Sequence, residues 1–485
     1  MASHRLICSV FLLISIKAFP QIGRSIMEHA SSMYNLTEDA WINPALSPFK
    51  FSLSLSDISA GFYNSNCERY GEFNADAYIK MSNLTLSANA LYNNGAKHNV
   101  KFCENVDVSQ VYPYLTYDAI GGNLNLERYG FAGSVAIDLN DRWNIGGSAS
   151  YAAGLFYRNV DPRPRDITGD LNLSAGVSFS FTNDYAVALS VSYNKYKQSC
   201  DIDFKSELGW STIYHMTGLG SHYKRFAGQG TSSYYNGNGI GINLTLFPIK
   251  RGIYANINFT RNNLTHILDD LNKLPMSKIN AFSLKSEVGF KSRKWGITAF
   301  MDIERRHGYE NIFGDAATAQ FPLIGSLCMH IINNSSYGIY GTGDFSLGKT
   351  LISISPNVYS THYSEIYREP RKKLVIDDIN AGIDLKMTSC VSKKIILRGN
   401  IGYRLISPLK TKIENVATTE PDLVPFVDII MDNYGNASHS GNNLAAGIGI
   451  DYLIHHGKYA IGLDALYNMY SRTDDTSIFT LTFKF

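Results

Sequence analysis

Charged residues recur two apart in segments that otherwise alternate apolar and polar side chains. Lys285 and Glu287, Asp302 and Glu304, and Asp384 and Lys386 are such pairs, with Arg398, Arg404, Asp451 and Asp464 in neighbouring segments of the same kind. A spacing of two places both members on one face of a strand. If those strands enclose a lumen, the ten residues line it, and charges of both signs set a transverse field that selects among small polar solutes. The competing reading is that they only solvate the lumen or pair across strands.

Other chemistry is weaker. His215, His222, His266, His307 and His439 are scattered, with Asp269 and Asp270 following His266 and Glu304 preceding His307. A hydrolase needs a base and an orienting acid within hydrogen-bond reach, and no spacing here supplies both. Gly121–Gly122 and the stretch Gly218 to Gly230 lack the strand–turn–helix context of a phosphate loop. Asp161, Asp166 and Asp170 lack the ligand spacing of a calcium loop. The basic run "REPRKK" (Arg368 to Lys373) could touch an anionic glycan or lipid phosphate, or be an ordinary solvated loop. No metal or cofactor motif is found. Lys plus Arg number 44 against 42 acidic residues, a balance that excludes a global field for nucleic acid.

The elements that must position these groups are strands. "FKFSLSLS" (Phe49 to Ser56), "LTLSANALY" (Leu84 to Tyr92), "LNLSAGVSFSF" (Leu171 to Phe181), "IGINLTLF" (Ile240 to Phe247) and "LAAGIGIDYLI" (Leu444 to Ile454) all show period-2 alternation. Very short turns at Asn140, Thr182, Pro248, Ser292, Gly348, Cys390 and His455 alternate with long polar connections near 94–120, 156–169, 198–236, 263–280, 306–335, 362–377 and 407–442. About 18 strands result, most of about 10–14 residues, with 16 as the alternative. After the first twenty residues no apolar run is long enough for a membrane helix. The fold class is therefore all-β, a transmembrane antiparallel β-barrel with short periplasmic turns and long extracellular loops. A secreted array of β-sandwiches predicts linkers, and none is found after about residue 48. Tyr151, Tyr157, Tyr185, Tyr193, Tyr403, Tyr452, Tyr459, Tyr467 and Tyr470 fall near strand ends, where the ring suits a headgroup-level girdle.

Residues 1–20 read as a secretory signal, with Arg5 ahead of the apolar stretch Leu6 to Ile16. Residues 21–48 form an N-terminal periplasmic segment or small plug, and 49–485 the barrel. A loop within 198–236 or 407–442 is the other candidate for constricting the lumen. The five later cysteines, Cys67, Cys103, Cys200, Cys328 and Cys390, show no framework spacing and read as unpaired, with a Cys67–Cys103 bridge as the alternative. In the last strand Phe479, Leu481, Phe483 and Phe485 share one face. That strand must pair with the first, near Phe49, to leave no open edge.

The apolar leader followed by Gln21, "NPA" at Asn43 to Ala45, "YRNVDPRPRD" at Tyr157 to Asp166 and the terminal "FTLTFKF" together resemble the uncharacterised outer-membrane β-barrel proteins of Bacteroidota. The resemblance implies the cell outer membrane and implies no activity. The terminal aromatic resembles the assembly signal that such barrels present to their insertion machinery. Outer-membrane lipid, that machinery, and a small polar solute or surface glycan are the expected partners. The leading expectation is a passive channel or substrate-selective transporter. The alternatives are a non-channel anchor or adaptor for a surface partner and, last, a barrel hydrolase. Deleting Phe485 is expected to lower the amount of inserted protein more than any activity of protein already inserted, measured by heat-modifiable mobility of membrane fractions.

Overall fold

The computed structural model describes residues 49–58, 67–207, 211–228, 231–315, 321–454, 459–470 and 476–484. The signal segment, the 21–48 segment and Phe485 lie outside the described residues. In chain order the first strands are β1 (Phe49–Ile58), β2 (Cys67–Lys80), β3 (Leu84–Val100), β4 (Thr116–Tyr117), β5 (Gly122–Asp138), β6 (Trp143–Tyr157) and β7 (Arg163–Ser180). Then come β8 (Tyr185–Asp203), β9 (Tyr214–Gly218), β10 (Ser221–His222), β11 (Ser232–Pro248), β12 (Gly252–Leu268), β13 (Leu274–Lys291) and β14 (Trp295–Phe313). The last are β15 (Leu323–Leu347), β16 (Thr350–Tyr367), β17 (Lys372–Cys390), β18 (Ile395–Glu414), β19 (Gly441–Ile454), β20 (Tyr459–Tyr470) and β21 (Thr476–Lys484). Among the described residues two α-helices, α1 (Val108–Val111) and α2 (Val424–Ala437), lie in connections.

All strands except β4, β9 and β10 join one 18-stranded antiparallel sheet. Its ends meet, because β1 pairs with β21 from Lys50↔Lys484 to Ile58↔Thr476. The sheet is thus a closed ring with no free edge, and the count of 18 holds over 16.

Alternation decides the two faces. Phe131, Ile242, Val288, Ile339, Ile401 and Leu463 stand exposed on the outer surface. A continuous belt of this kind would drive association in water. Around a closed barrel it is the lipid contact, so the chain is an outer-membrane β-barrel by architecture. Tyr151, Tyr193, Tyr403, Tyr452 and Tyr467 also project outward.

Several strands are longer than expected, among them β8 and β14 at 19 residues and β15 at 25. The connections foreseen at 263–280, 306–335 and 362–377 shrink to 269–273, 314–322 and 368–371. The physical reason lies above the belt, where outward positions face water and the apolar half of the alternation disappears while the ladder continues. On β8 and β11, outward Val191 and Ile240 give way to Lys195, whose Nζ donates to Asn236 Oδ1 at 2.6 Å and Asn238 Oδ1 at 3.0 Å.

The face assignment has a direct test. Val191→Arg puts a charge into lipid and is expected to cost about 2–4 kcal/mol if near the bilayer midplane. Ser192→Arg, one residue on, points into the lumen and should cost less than half of that, by urea titration in lipid vesicles.

Candidate functional site

The outer end of the lumen is occupied by three connections that share one core. The first, 101–121, folds back on itself through Phe102 N–H to Asp118 C=O and Glu104 N–H to Thr116 C=O, both 2.9 Å. Its tip is α1 and the aromatic run after it, and Tyr114, Leu115 and Tyr117 are fully buried. A solvated loop would not carry "VYPYLTY" (Val111 to Tyr117), since each large side chain removed from water contributes roughly 1.5–3 kcal/mol.

This connection crosses the lumen. It starts between β3 and β5, where Val106 packs with Leu124, Leu126 and Phe156. Asp107 Oδ2 accepts from Tyr196 on β8 at 2.9 Å, and Tyr114 C=O accepts from Tyr235 on β11 at 2.8 Å. On β14, Arg306 donates to the carbonyls of Ser109 at 2.8 Å and Tyr112 at 2.9 Å. Tyr112 donates to Glu365 on β16, whose carboxylate also meets His330 Nε2 on β15 and Tyr363 O–H, each at 2.8 Å. In the 18-membered ring, β15 and β16 lie half-way round from β3 and β5. The segment is a strap tied to opposite walls.

Two further connections seal it. In 204–231, β9 pairs with β4 through Thr116↔His215 and Tyr117↔Tyr214. Gly218 has φ +101°, and a Cβ there would lie 2.5 Å from the His330 ring, so the turn needs glycine. In 415–440, α2 buries Phe426, Val427, Ile430, Asn433 and Ala437 on one face. Tyr117 O–H donates to Asp422 C=O at 2.6 Å and Tyr214 O–H to the Asp422 carboxylate at 3.0 Å. Phe426 meets the Tyr117 ring edge-on at 5.5 Å.

The strap's root is ionic. Arg158 lies 3.2 Å from Glu104 and 3.6 Å from Asp118, all three side chains almost wholly buried. One guanidinium faces two carboxylates there. Burial pushes the Glu104 carboxyl up to about 7, against the pull of Arg158 and aided by Asp118. The docked strap therefore holds a proton that a free carboxyl would release above about pH 4.5. That contribution is complete below the free value and is lost as pH rises through 7. Burial also pushes the neighbouring Cys103 thiol up.

The residues expected to line the lumen are placed as follows. Lys285 Nζ is 3.1 Å from Asp302, and Glu304 accepts from Arg306 at 3.1 Å. Arg398 bridges Asp451 at 2.8 Å and Asp464 at 3.1 Å across β18–β20. Arg404 lies over the Tyr359 ring, with Cζ 5.6 Å from its centroid. Lys386 is exposed, and Asp384 Oδ1 fills the space where a Cβ on Gly402 would lie. Glu287 pairs in register with Phe300. Phe479 and Phe483 are exposed on the outer surface.

Other expectations need correction. His215 is buried inside the cap and His266 is buried on the wall strand β12, rather than displayed in loops. His266 stacks on Tyr235 at 4.4 Å, and its ring centroid lies 5.7 Å from that of His215. His307 lies within β14, and His439 lies exposed after α2. Asp161 is bound by Arg163 and by the N–H groups of Lys205 and Ser206, whereas Asp170 accepts from Asn194 and Asp166 is buried. Lys372 is buried and donates to Leu219 C=O at 3.1 Å and Ala417 C=O at 2.9 Å, clamping two cap connections instead of meeting an external anion. Cys103, Cys200, Cys328 and Cys390 are free thiols, which leaves no Cys67–Cys103 bridge. Both connections named as constrictions do fold inward, but the principal one, 101–121, was missed, and so was α2. Their apolar runs were the available signals. A hydrogen-bonded pair, His362 with Asp377 at 2.5 Å, sits on the outer surface just above the belt and was not foreseen.

Removing the cation at the root should free the strap. Arg158→Ala strands two buried carboxylates at a cost of about 3–5 kcal/mol. In a chain keeping Cys103 as its sole cysteine, maleimide labelling should then quicken by roughly a hundredfold to a few thousandfold. Referred to the reactivity of a free thiol, labelling should rise from about pH 5 to about pH 8, and flatten in Glu104→Gln.

Comparison with solved structures gives distant likenesses to receptor barrels. The ferric preacinetobactin receptor BauA of Acinetobacter baumannii aligns over 91% of this chain and 80% of its own, at 9% identity and TM-score 0.41. The ferric-catecholate import receptor Fiu of E. coli K12 aligns over 90% and 81%, at 8% identity and TM-score 0.41. The ferripyoverdine receptor of the Pseudomonas aeruginosa outer membrane aligns over 91% and 72%, at 9% identity and TM-score 0.40. Likenesses this distant transfer no function. No curated protein matches the sequence. Residues 63–485 match the profile of a single family, and the chain belongs to it: the family of unknown function DUF6850.

Proposed function

We propose that the protein is a gated, substrate-selective outer-membrane transporter, closed at rest by its own loops, and not a standing passive channel. One observation carries this reading: the 101–121 strap is tied to walls half-way round the barrel from each other. A ring of 18 strands is otherwise wide enough for an aqueous lumen. Passage of a polar solute then requires the strap and its two covering connections to move, and the chain acts by conformational gating without bond-making chemistry. The solute is a small polar molecule. Outer-membrane lipid surrounds the belt, and the insertion machinery reads the terminal strand. The residue resemblance assigns the source to Bacteroidota.

A second reading has its own support. On α2, Val424 and Met431 are exposed on the outward side of the cap, beside exposed Asp428 and Asp432. An adaptor that presents this face to a surface partner would use the cap as a platform and keep it shut.

Planar-bilayer recording separates the two. Residues 103–119 can be replaced by a short glycine–serine linker, because the strap's ends already meet through the Phe102–Asp118 bond of 2.9 Å. Wild-type protein is expected to show little steady current, and the linker variant a stable, porin-like conductance. Equal steady conductance in both overturns gating by the strap. A linker variant that stays silent favours the adaptor.

A further inference from the structure

Below the strap the lumen is lopsided. The inward positions of β5–β8 are small, including Ser134, Ser148, Ser174 and Ser190, and the Ser148 and Ser174 hydroxyls bond each other at 2.8 Å. Across from them, β14–β16 present Phe300, Tyr340 and Tyr359. The Phe300 centroid lies 6.1 Å from each of the other two rings. Gly338 sits between Phe300 and Tyr359 in the ladder. A Cβ there would lie 2.3 Å from that of Tyr359, so glycine is what lets the rings close into one surface. Gly382 likewise separates Asn357 from Arg404, and the Asn357 side chain packs over it, with Oδ1 3.0 Å from where a Cβ would lie. From Phe300 to Arg306, which holds the strap, is roughly 20 Å of strand, so the aromatic wall lies well below the cap.

We propose that this wall, formed by Phe300, Tyr340 and Tyr359 with Asn357 and Arg404 at its edge, binds a neutral saccharide. The proposal names the solute class of the transport reading, and rests on that reading only for its use in the cell. A sugar ring has an apolar C–H face and a rim of hydroxyls. It needs a flat apolar platform flanked by a few groups that donate and accept hydrogen bonds. The three rings supply the platform. Arg404 is held over Tyr359 at 5.6 Å. Its Nε and the Asn357 Oδ1, both closed off from solvent, have no hydrogen-bond partner among the described residues.

The charges nearby argue against an ionic solute. Lys285 is matched by Asp302 at 3.1 Å, and Arg398 by Asp451 and Asp464 at 2.8 Å and 3.1 Å. These pairs leave no one-signed field to draw an anion or a cation. Each nevertheless keeps about a third of its side chain accessible on the Lys285, Asp302, Arg398 and Asp464 members, so the lower lumen has room for solvent and solute. The opposing serine wall sets that room on the platform side.

The test is titration calorimetry of the full chain in detergent with maltose, cellobiose and lactose, and with citrate as an anionic probe. At least one neutral disaccharide should bind. Tyr359→Ala should weaken that binding about tenfold, with Tyr359→Phe retaining most of it. Tyr337→Ala, on the outer surface, should leave it unchanged. Heat-modifiable mobility confirms folding, and Phe300→Leu replaces Tyr359→Ala if the latter fails to fold. Three results overturn the proposal: no sugar of the panel binds, citrate binds in place of sugars, or binding ignores both wall variants. Loss of the sugar site with strap-dependent conductance intact would leave gating standing, and the converse would leave the site standing.

Discussion

Lipid offers no hydrogen-bond partner to a backbone, and this constraint organises the molecule. Each N–H and C=O within the belt must be met by a neighbouring strand. A sheet with an edge would leave two strands half satisfied. The β1–β21 ladder removes that edge, and pairing is continuous round all 18 strands. Everything else follows from the ring being closed. Outward positions become apolar where they meet acyl chains, inward positions are freed from the solvent-exclusion demands of an ordinary core, and the connections at one end are released to fill the space the ring encloses.

That space is filled at the outer end by an interior of conventional kind. Tyr114, Leu115, Tyr117, Met216, Leu423 and Phe426 form a core with Tyr235 and Ile332 of the wall. Apolar burial supplies its cohesion, but its position is fixed by polar ties: Arg158 at the near wall, Arg306 and Glu365 at the far one. Such a division suits a gate. Apolar contacts between strap and wall are non-directional and tolerate sliding, whereas the buried ionic root is costly to break by halves. The root therefore reads as the anchor, and the far-wall ties at Tyr112 as the part that can let go.

The barrel was legible because lipid and turn geometry imprint a period of two and an alternation of short and long connections. Strand count and the pairing of the last strand with the first followed from that. Strand length did not, because above the belt the outward face of β8 or β16 meets water and its hydropathy no longer marks the ladder. The charged positions in Lys285–Asp302 and Arg398–Asp451 were visible as same-face residues. Their partners were not, since register between strands far apart in sequence is set by turns and packing. The strap was missed for a different reason. The apolar content of Val106 to Ile120 marks a buried connection but not what buries it, because its partners Tyr196, Tyr235, Arg306 and Glu365 come from strands far away in sequence. In α2 the spacing of Phe426, Val427, Ile430 and Asn433 carried a helical period inside a segment taken as loop.

The lower lumen shows what a closed ring permits once its outer end is capped. An ordinary core would force every inward side chain toward close packing. Here the serine face of β5–β8 and the aromatic face of β14–β16 are held apart by the ring itself, so neither has to fill the space between them. Large rings such as Phe300 and Tyr359 can then stand on a wall half-buried without collapsing onto a partner. Gly338 makes this arrangement specific: a side chain there would meet both the Tyr359 side chain and the backbone of Val358 and Tyr359 on the paired strand. Backbone closure explains why a cavity exists. The placement of small residues against one wall and rings on the other explains why that cavity has a side to which a flat, hydroxyl-rimmed molecule would adhere.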